Sequence, residues 1–176
     1  GLRAEHIPPR DPPMISEFRP IIMRANRLLG AALVEHNFVK IEDLERANER
    51  LLELLGAEQI RQSTVLGILA YELKVLREED VLLHLADTES LGLVDLRTYE
   101  INDDCRKATD LGAAWATWSV PYDKEEGITF IATAYYLSPA VRSYWEKQLG
   151  TTAIIWYGTT LGIICLLYTS PSPRDS

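Results

Sequence analysis

Cysteine is nearly absent from this 176-residue chain: there are two, Cys105 and Cys165. A disulfide framework within the fold is therefore excluded, and a reducing compartment is the default. Basic residues are also in deficit, with 18 Lys and Arg against 26 Asp and Glu and a net charge of −8. That balance argues against a nucleic-acid partner or an anionic membrane surface, both of which are held by basic patches. No Gly-x-x-x-x-Gly-Lys-[Ser/Thr] phosphate loop and no Gly-x-Ser-x-Gly nucleophile turn occurs, and Cys105 has no histidine near it in sequence. The expectation is a protein without catalytic residues. His36 and His84 stand far apart in sequence, unlike the closely spaced ligand pairs of structural metal sites, so no metal ligands are assigned.

Long apolar runs are scarce as well. One, from Ala153 to Leu167, approaches the length of a membrane span. Its last three residues fall in a suspect tail, and the rest is rich in β-branched and aromatic residues, which suits a buried strand. With no signal peptide, the chain is expected to be cytoplasmic and without direct membrane insertion.

Both ends read differently from the middle. Residues 1–13 carry four prolines and no starting Met, and suit an upstream or linker segment. Residues 165–176, Cys165 to Ser176, match the translation of a transposase-type sequencing adapter and are expected to pack against nothing. The two ends together carry as many acidic as basic residues, so Met14 to Ile164 keeps the net charge of −8.

What organises the rest is a stretch that occurs twice. Leu29-Gly30 is followed by the apolar residues Val39 and Leu44, nine and fourteen positions after the glycine; Leu66-Gly67 is followed by Leu76 and Val81 at the same distances. Each copy reads as a helix carrying Leu-Gly, a turn, an apolar plug (Phe38-Val39, Val75-Leu76) and a second helix opened by acids. In the first copy the helix should run from Ile21, just after Pro20, to Glu35, with Asn37 able to take a left-handed conformation. Glu42 and Asp43 suit the next helix N-terminus. Leu44, Ala47, Leu51, Leu52 and Leu55 form its apolar stripe, stopped by Gly56. In the second copy Ile60, Val65, Ile68, Leu69 and Leu73 give the first face, and Glu78, Glu79 and Asp80 head the second helix. Leu91 to Leu96 leads out in extended form.

After Leu96 the period changes. Ala114 to Tyr122 reads as a strand with Pro121 near an edge, and Ile128 to Tyr135 as its hairpin partner across a turn at Gly127. Ser138-Pro139 opens a helix that Gly150 stops, and Thr152 to Tyr157 is a third strand. The fold expected is α+β: a duplicated helix-pair subdomain over 14–96 and a small α+β subdomain over 97–164 (β-hairpin, helix, strand). Each would have its own core, joined by a linker near Leu96 to Asp110. Trp115, Trp118, Tyr135, Tyr136, Trp145 and Trp156 would fill the second core.

The paired Leu-Gly units, the Leu91-Gly92-Leu93-Val94-Asp95-Leu96 exit, the Val120-Pro121-Tyr122 segment and the Leu137-Ser138-Pro139 helix start resemble, in order and spacing, the N-terminal domain of the type II secretion and type IV pilus assembly ATPases. The ATPase part itself has no counterpart in the chain. Some members of that family bind cyclic di-GMP through both units, and related copies are attached to glycosyltransferases. On this resemblance Arg27, Leu29, Gly30, Leu33 and Val34 correspond to ligand-binding positions of the first unit, and Leu66 and Gly67 to those of the second. The second-unit arginine position holds Thr64, the turn glycines are Asn37 and Lys74, and the terminal glutamine positions hold Leu51 and Thr88.

Two functions follow. One is a non-catalytic adaptor domain docking onto a protein partner of a bacterial secretion, pilus or glycosyltransferase (surface-polysaccharide) system, with no cofactor. The other is a cyclic di-GMP sensor with Arg27 as its charged contact. The missing second arginine and glutamines favour the first, and Gly30 and Gly67 are then sites of close helix packing rather than ligand contacts.

Overall fold

The computed structural model describes residues 15–169. Helix α1 spans Ile15–Glu35. It begins a turn and a half earlier than expected and carries Pro20 inside, where the missing N–H falls close enough to the start to cost a single intrahelical bond. Asn37 turns the chain after α1 at φ 64°, and α2 follows at Ile41–Gly56 with Glu42 and Asp43 in its first turn. Its buried stripe is Ala47, Leu51, Leu54 and Leu55; Leu52, expected inside, is 52% exposed. Ala47, Leu51 and Leu55 keep the expected face, and Leu54 is buried in place of Leu52.

The second unit is an irregular copy of the first. A 3-10 turn at Ile60–Gln62 leads into α3, Val65–Gly67, which continues as a π-helical stretch over Ile68–Glu72. Lys74 then turns the chain at φ 55°, and α4 runs Glu78–Thr88. Asn37 and Lys74 each follow their unit's glycine by seven residues, so both copies make the same left-handed turn, each with a side chain where the resembled family has glycine.

The remaining chain builds a four-stranded sheet of order β1-β4-β3-β2. Strand β1 is Gly92–Leu93, β2 Ser119–Glu125, β3 Ile128–Thr133 and β4 Ala153–Gly158. The hairpin β2/β3 is antiparallel, with a register shift between Pro121 and Asp123, so Pro121 sits at an irregularity of an edge strand, where its missing N–H is tolerated. Helix α7, Pro139–Leu149, crosses over to β4, parallel to β3. Ser138 holds the N-cap position but makes no capping bond through its hydroxyl, which is buried without a partner.

Four expectations are corrected. Ala114 to Thr117 is helical: α6, Leu111–Thr117, is opened by Asp110, whose carboxylate accepts from Gly112 N–H and Ala113 N–H, and is closed by Trp118 at φ 49°. Three alanines supply the helix propensity that the tryptophans obscured. The stretch between the halves is structured: α5, Asp103–Ala108, buries Cys105, and Asn102 N–H donates to Tyr122 O. The two halves share one apolar core, in which Leu29, Leu33, Leu69 and Val81 join Trp115, Trp118, Tyr135 and Val141. Finally, the apolar run after Ala153 divides at Thr159 and Thr160 into β4 and α8, Leu161–Thr169. Leu161 and Ile164 are buried, Cys165, Leu167 and Tyr168 pack against the core, and the Tyr168 ring lies 5.4 Å from that of Trp115. The expectation that residues from Cys165 pack against nothing is thereby overturned as far as Tyr168. Helical spacing from Leu161 and Ile164 carries Tyr168 onto the same face. The rest of that expectation, and residues 1–13, lie outside the described residues. No helix among the described residues is long and apolar enough to cross a membrane.

Candidate functional site

On α1, spacing places Arg27, Gly30 and Val34 along one stripe and Leu29 and Leu33 on the next. The first stripe faces α2. A Cβ at Gly30 would lie 2.6 Å from Leu44 Cδ1, so the space left by the missing side chain is filled by α2. Arg27 is exposed and Val34 half-buried. Leu29 and Leu33 point the other way and meet Leu66, Val81 and Leu85 around a void of about 10 Å³, no more than a single water could occupy. Gly67 is backed by Thr64, whose Cγ2 would stand 2.8 Å from an added Cβ, and by Leu161 Cδ1 at 3.4 Å.

The seven residues are thus distributed over three contacts. Leu29, Leu33 and Leu66 come together in the core; Arg27, Gly30 and Val34 line the α1/α2 side; Gly67 lies under α8. Next to Val34, the two plugs form an open groove of about 660 Å³ lined by Phe38, Val39, Lys40, Ile41, Asp43 and Val75. Ile41 is 57% exposed there.

A buried polar network, which no sequence motif announced, ties the halves together. Asn26 Oδ1 accepts from Val65 N–H at 2.8 Å and from Tyr135 OH at 2.6 Å, while Asn26 Nδ2 donates to Ile22 O at 2.8 Å. Tyr135 OH also contacts Thr64 Oγ1 at 2.5 Å, and burial pushes its phenol pKa well up. On the other side of the second unit, Glu78 is 3% exposed. Its carboxylate accepts from Leu161 N–H at 2.7 Å and from Tyr71 OH. Burial raises the Glu78 pKa, against the lowering influence of these two donors. Glu78 was read as a helix N-terminal charge for α4; its side chain in fact satisfies the first N–H of α8, an orphan donor.

The sequence also missed a cleft of about 280 Å³ between α5, α7 and the β2 edge, lined by Asp104, Cys105, Asp110, Lys124, Tyr144 and Trp145 among others. These residues come from four separate segments, so no local pattern could have revealed it. Burial raises the Cys105 thiol pKa, which disfavours the reactive thiolate, and Asp110 is engaged in capping α6. Among the described residues no three His, Cys, Asp or Glu side chains gather in a way that could hold a metal ion.

No protein-family model matches the chain, and no curated protein matches it. In fold it is similar to the solved structure of MshE with cyclic di-GMP, at a TM-score of 0.49 and 20% identity, over 78% of this chain and 93% of that one. It is also similar to the N-terminal domain of XpsE, at a TM-score of 0.47 and 20% identity, over 76% of this chain and 87% of that one. Both similarities are of fold alone.

Proposed function

We propose that the chain is a non-catalytic, cytoplasmic interaction domain of a bacterial secretion or pilus assembly system, the duplicated helical unit serving as a rigid platform for a protein partner. The observation that supports this most is the filling of both Leu-Gly positions by the protein's own side chains. Leu44 occupies the space over Gly30, and Thr64 with Leu161 that over Gly67. These units pack helix to helix, and what they leave on the surface is the groove between the plugs with Ile41 exposed in it. Apolar side chains in such a groove are what a partner would cover. The test is a two-hybrid or cross-linking screen of the chain against the assembly proteins encoded beside its gene. A partner lost on Ile41→Asp, with thermal stability kept, supports the platform. A partner indifferent to Ile41→Asp removes the groove from the reading, and the absence of any partner in that set removes the adaptor role.

The second reading, a cyclic di-GMP sensor, draws on the repeated left-handed turns at Asn37 and Lys74, which keep the two units alike in shape. It would require the ligand to displace Leu44 and Leu161, and it has Arg27 alone as a matching arginine.

A further inference from the structure

We propose that His36 and His84 form a two-histidine site for a divalent transition-metal ion of the zinc or nickel type, clamping the end of α1 to α4. His36 lies just after α1 and His84 in the second turn of α4, one in each unit. Their ring nitrogens Nδ1 and Nε2 stand 3.3 Å apart, and the rings meet edge to face at 5.3 Å and 81°. Phe38, from the plug of the first unit, holds the His84 ring from the side at 5.2 Å and 86°. The Thr88 hydroxyl donates to the His84 carbonyl at 2.8 Å.

The spacing is the argument. Two imidazole nitrogens bound about 2.0–2.1 Å from a tetrahedral ion lie about 3.3–3.4 Å from each other. The two nitrogens already have that separation, held by a hydrogen bond that uses one proton between two lone pairs. Metal binding needs both lone pairs free. The bridging proton moves to the other nitrogen of its own ring, no proton is lost, and a small rotation of the rings aims both nitrogens at an ion beside the line joining them. Both rings are solvent-accessible, so water completes the coordination in place of a third protein ligand, consistent with the lack of a three-residue cluster among the described residues. Imidazole suits zinc, nickel and copper, whereas the hard cations prefer oxygen. Sequence inspection gave no hint of the pair, because 48 positions separate its members.

An ion bound only in the folded state stabilises it by mass action. Zinc chloride titrated calorimetrically into the full chain should bind one ion per chain at this site, and the thermal midpoint should rise by several degrees at about a hundredfold excess over Kd. His36→Gln and His84→Gln should each abolish the binding and the rise, whereas His6→Gln, outside the described residues, should change neither. In the unsubstituted chain, nickel should broaden the ring resonances of His36 and His84 together. Absence of zinc binding, binding that survives either substitution, or nickel broadening of one ring without the other would overturn the proposal.

Discussion

Replacing Glu78 separates what its charge does from what its shape does. The Glu78 carboxylate caps the first N–H of α8 from inside the core, so Glu78→Ala leaves Leu161 N–H buried and unpaired. That costs about 1–3 kcal/mol, and loss of the one buried methylene, Cγ, adds about 0.8 kcal/mol. Tyr71 is 58% exposed and recovers a water partner. The expected loss is about 3 kcal/mol, and each kcal/mol lowers the midpoint of a chain this size by roughly 2–4 °C, so calorimetry should show a drop of roughly 6–12 °C. Glu78→Gln keeps the shape. Its carbonyl can accept from Leu161 N–H while its amide donates to the Tyr71 hydroxyl, so at neutral pH it should stay within about 1 kcal/mol of the original chain.

The pH dependence has a definite sign. Burial raises the folded-state pKa of Glu78 above its ordinary 4.5, so the folded protein binds a proton more readily than the unfolded chain. Stability from this group is therefore fully present below 4.5 and is lost as pH rises through the folded pKa. The original chain should gain on Glu78→Gln as pH falls through that window towards 4.5, and no further below it. An alanine variant as stable as the original, or an advantage over the glutamine variant that grows with rising pH, would refute the assignment.

Three further outcomes follow from the backbone and the core. Lys74→Gly should stabilise the chain by up to about 1 kcal/mol, because a left-handed lysine costs roughly 1–2 kcal/mol and glycine returns part of that as unfolded-state entropy; an unchanged or lower urea midpoint would count against the strained turn. Gly92→Ala should destabilise more than Gly30→Ala. An added Cβ at Gly92 meets the rigid Tyr157 ring at 2.6 Å, whereas at Gly30 it meets the movable tip of Leu44, and alanine there gains about 1 kcal/mol of helix propensity. The reverse order by chemical denaturation would contradict the packing described. Deleting Cys165 to Ser176 should lower the thermal midpoint by several degrees, since it uncovers Trp115 where Tyr168 packs; an unchanged midpoint would show that this end contributes nothing.

Elements whose boundaries rest on local chemistry were legible in the sequence. Asn37 turns the chain after α1, Glu42 and Asp43 open α2, Gly127 turns the hairpin, Pro139 starts α7 and Gly150 stops it. Helix α6 was not, because Trp115, Trp118 and the β-branched residues after them suggested a strand while the deciding signal was an aspartate cap at Asp110. The single core was illegible for a different reason. It depends on contacts such as Asn26 with Val65 and Tyr135, 39 and 109 positions away, and a polar residue on a helix does not announce a partner at such distance. For the ligand positions Leu29 and Leu33, one helical turn apart on α1, the sequence could not show that Leu66 closes on them and leaves no room.

The most direct measurement is a calorimetric titration of the chain with cyclic di-GMP. On the proposed function the Leu-Gly units are packing devices, with Leu44 and Leu161 filling the space over their glycines. A missing charge-assisted contact contributes about 1.5–3 kcal/mol, and each 1.4 kcal/mol is about tenfold in affinity, so loss of the second arginine position and both glutamine positions should carry a micromolar site towards millimolar. The predicted result is no saturable heat at micromolar concentration and no difference on Arg27→Ala. Saturable micromolar binding that Arg27→Ala abolishes would contradict it and put the sensor reading first.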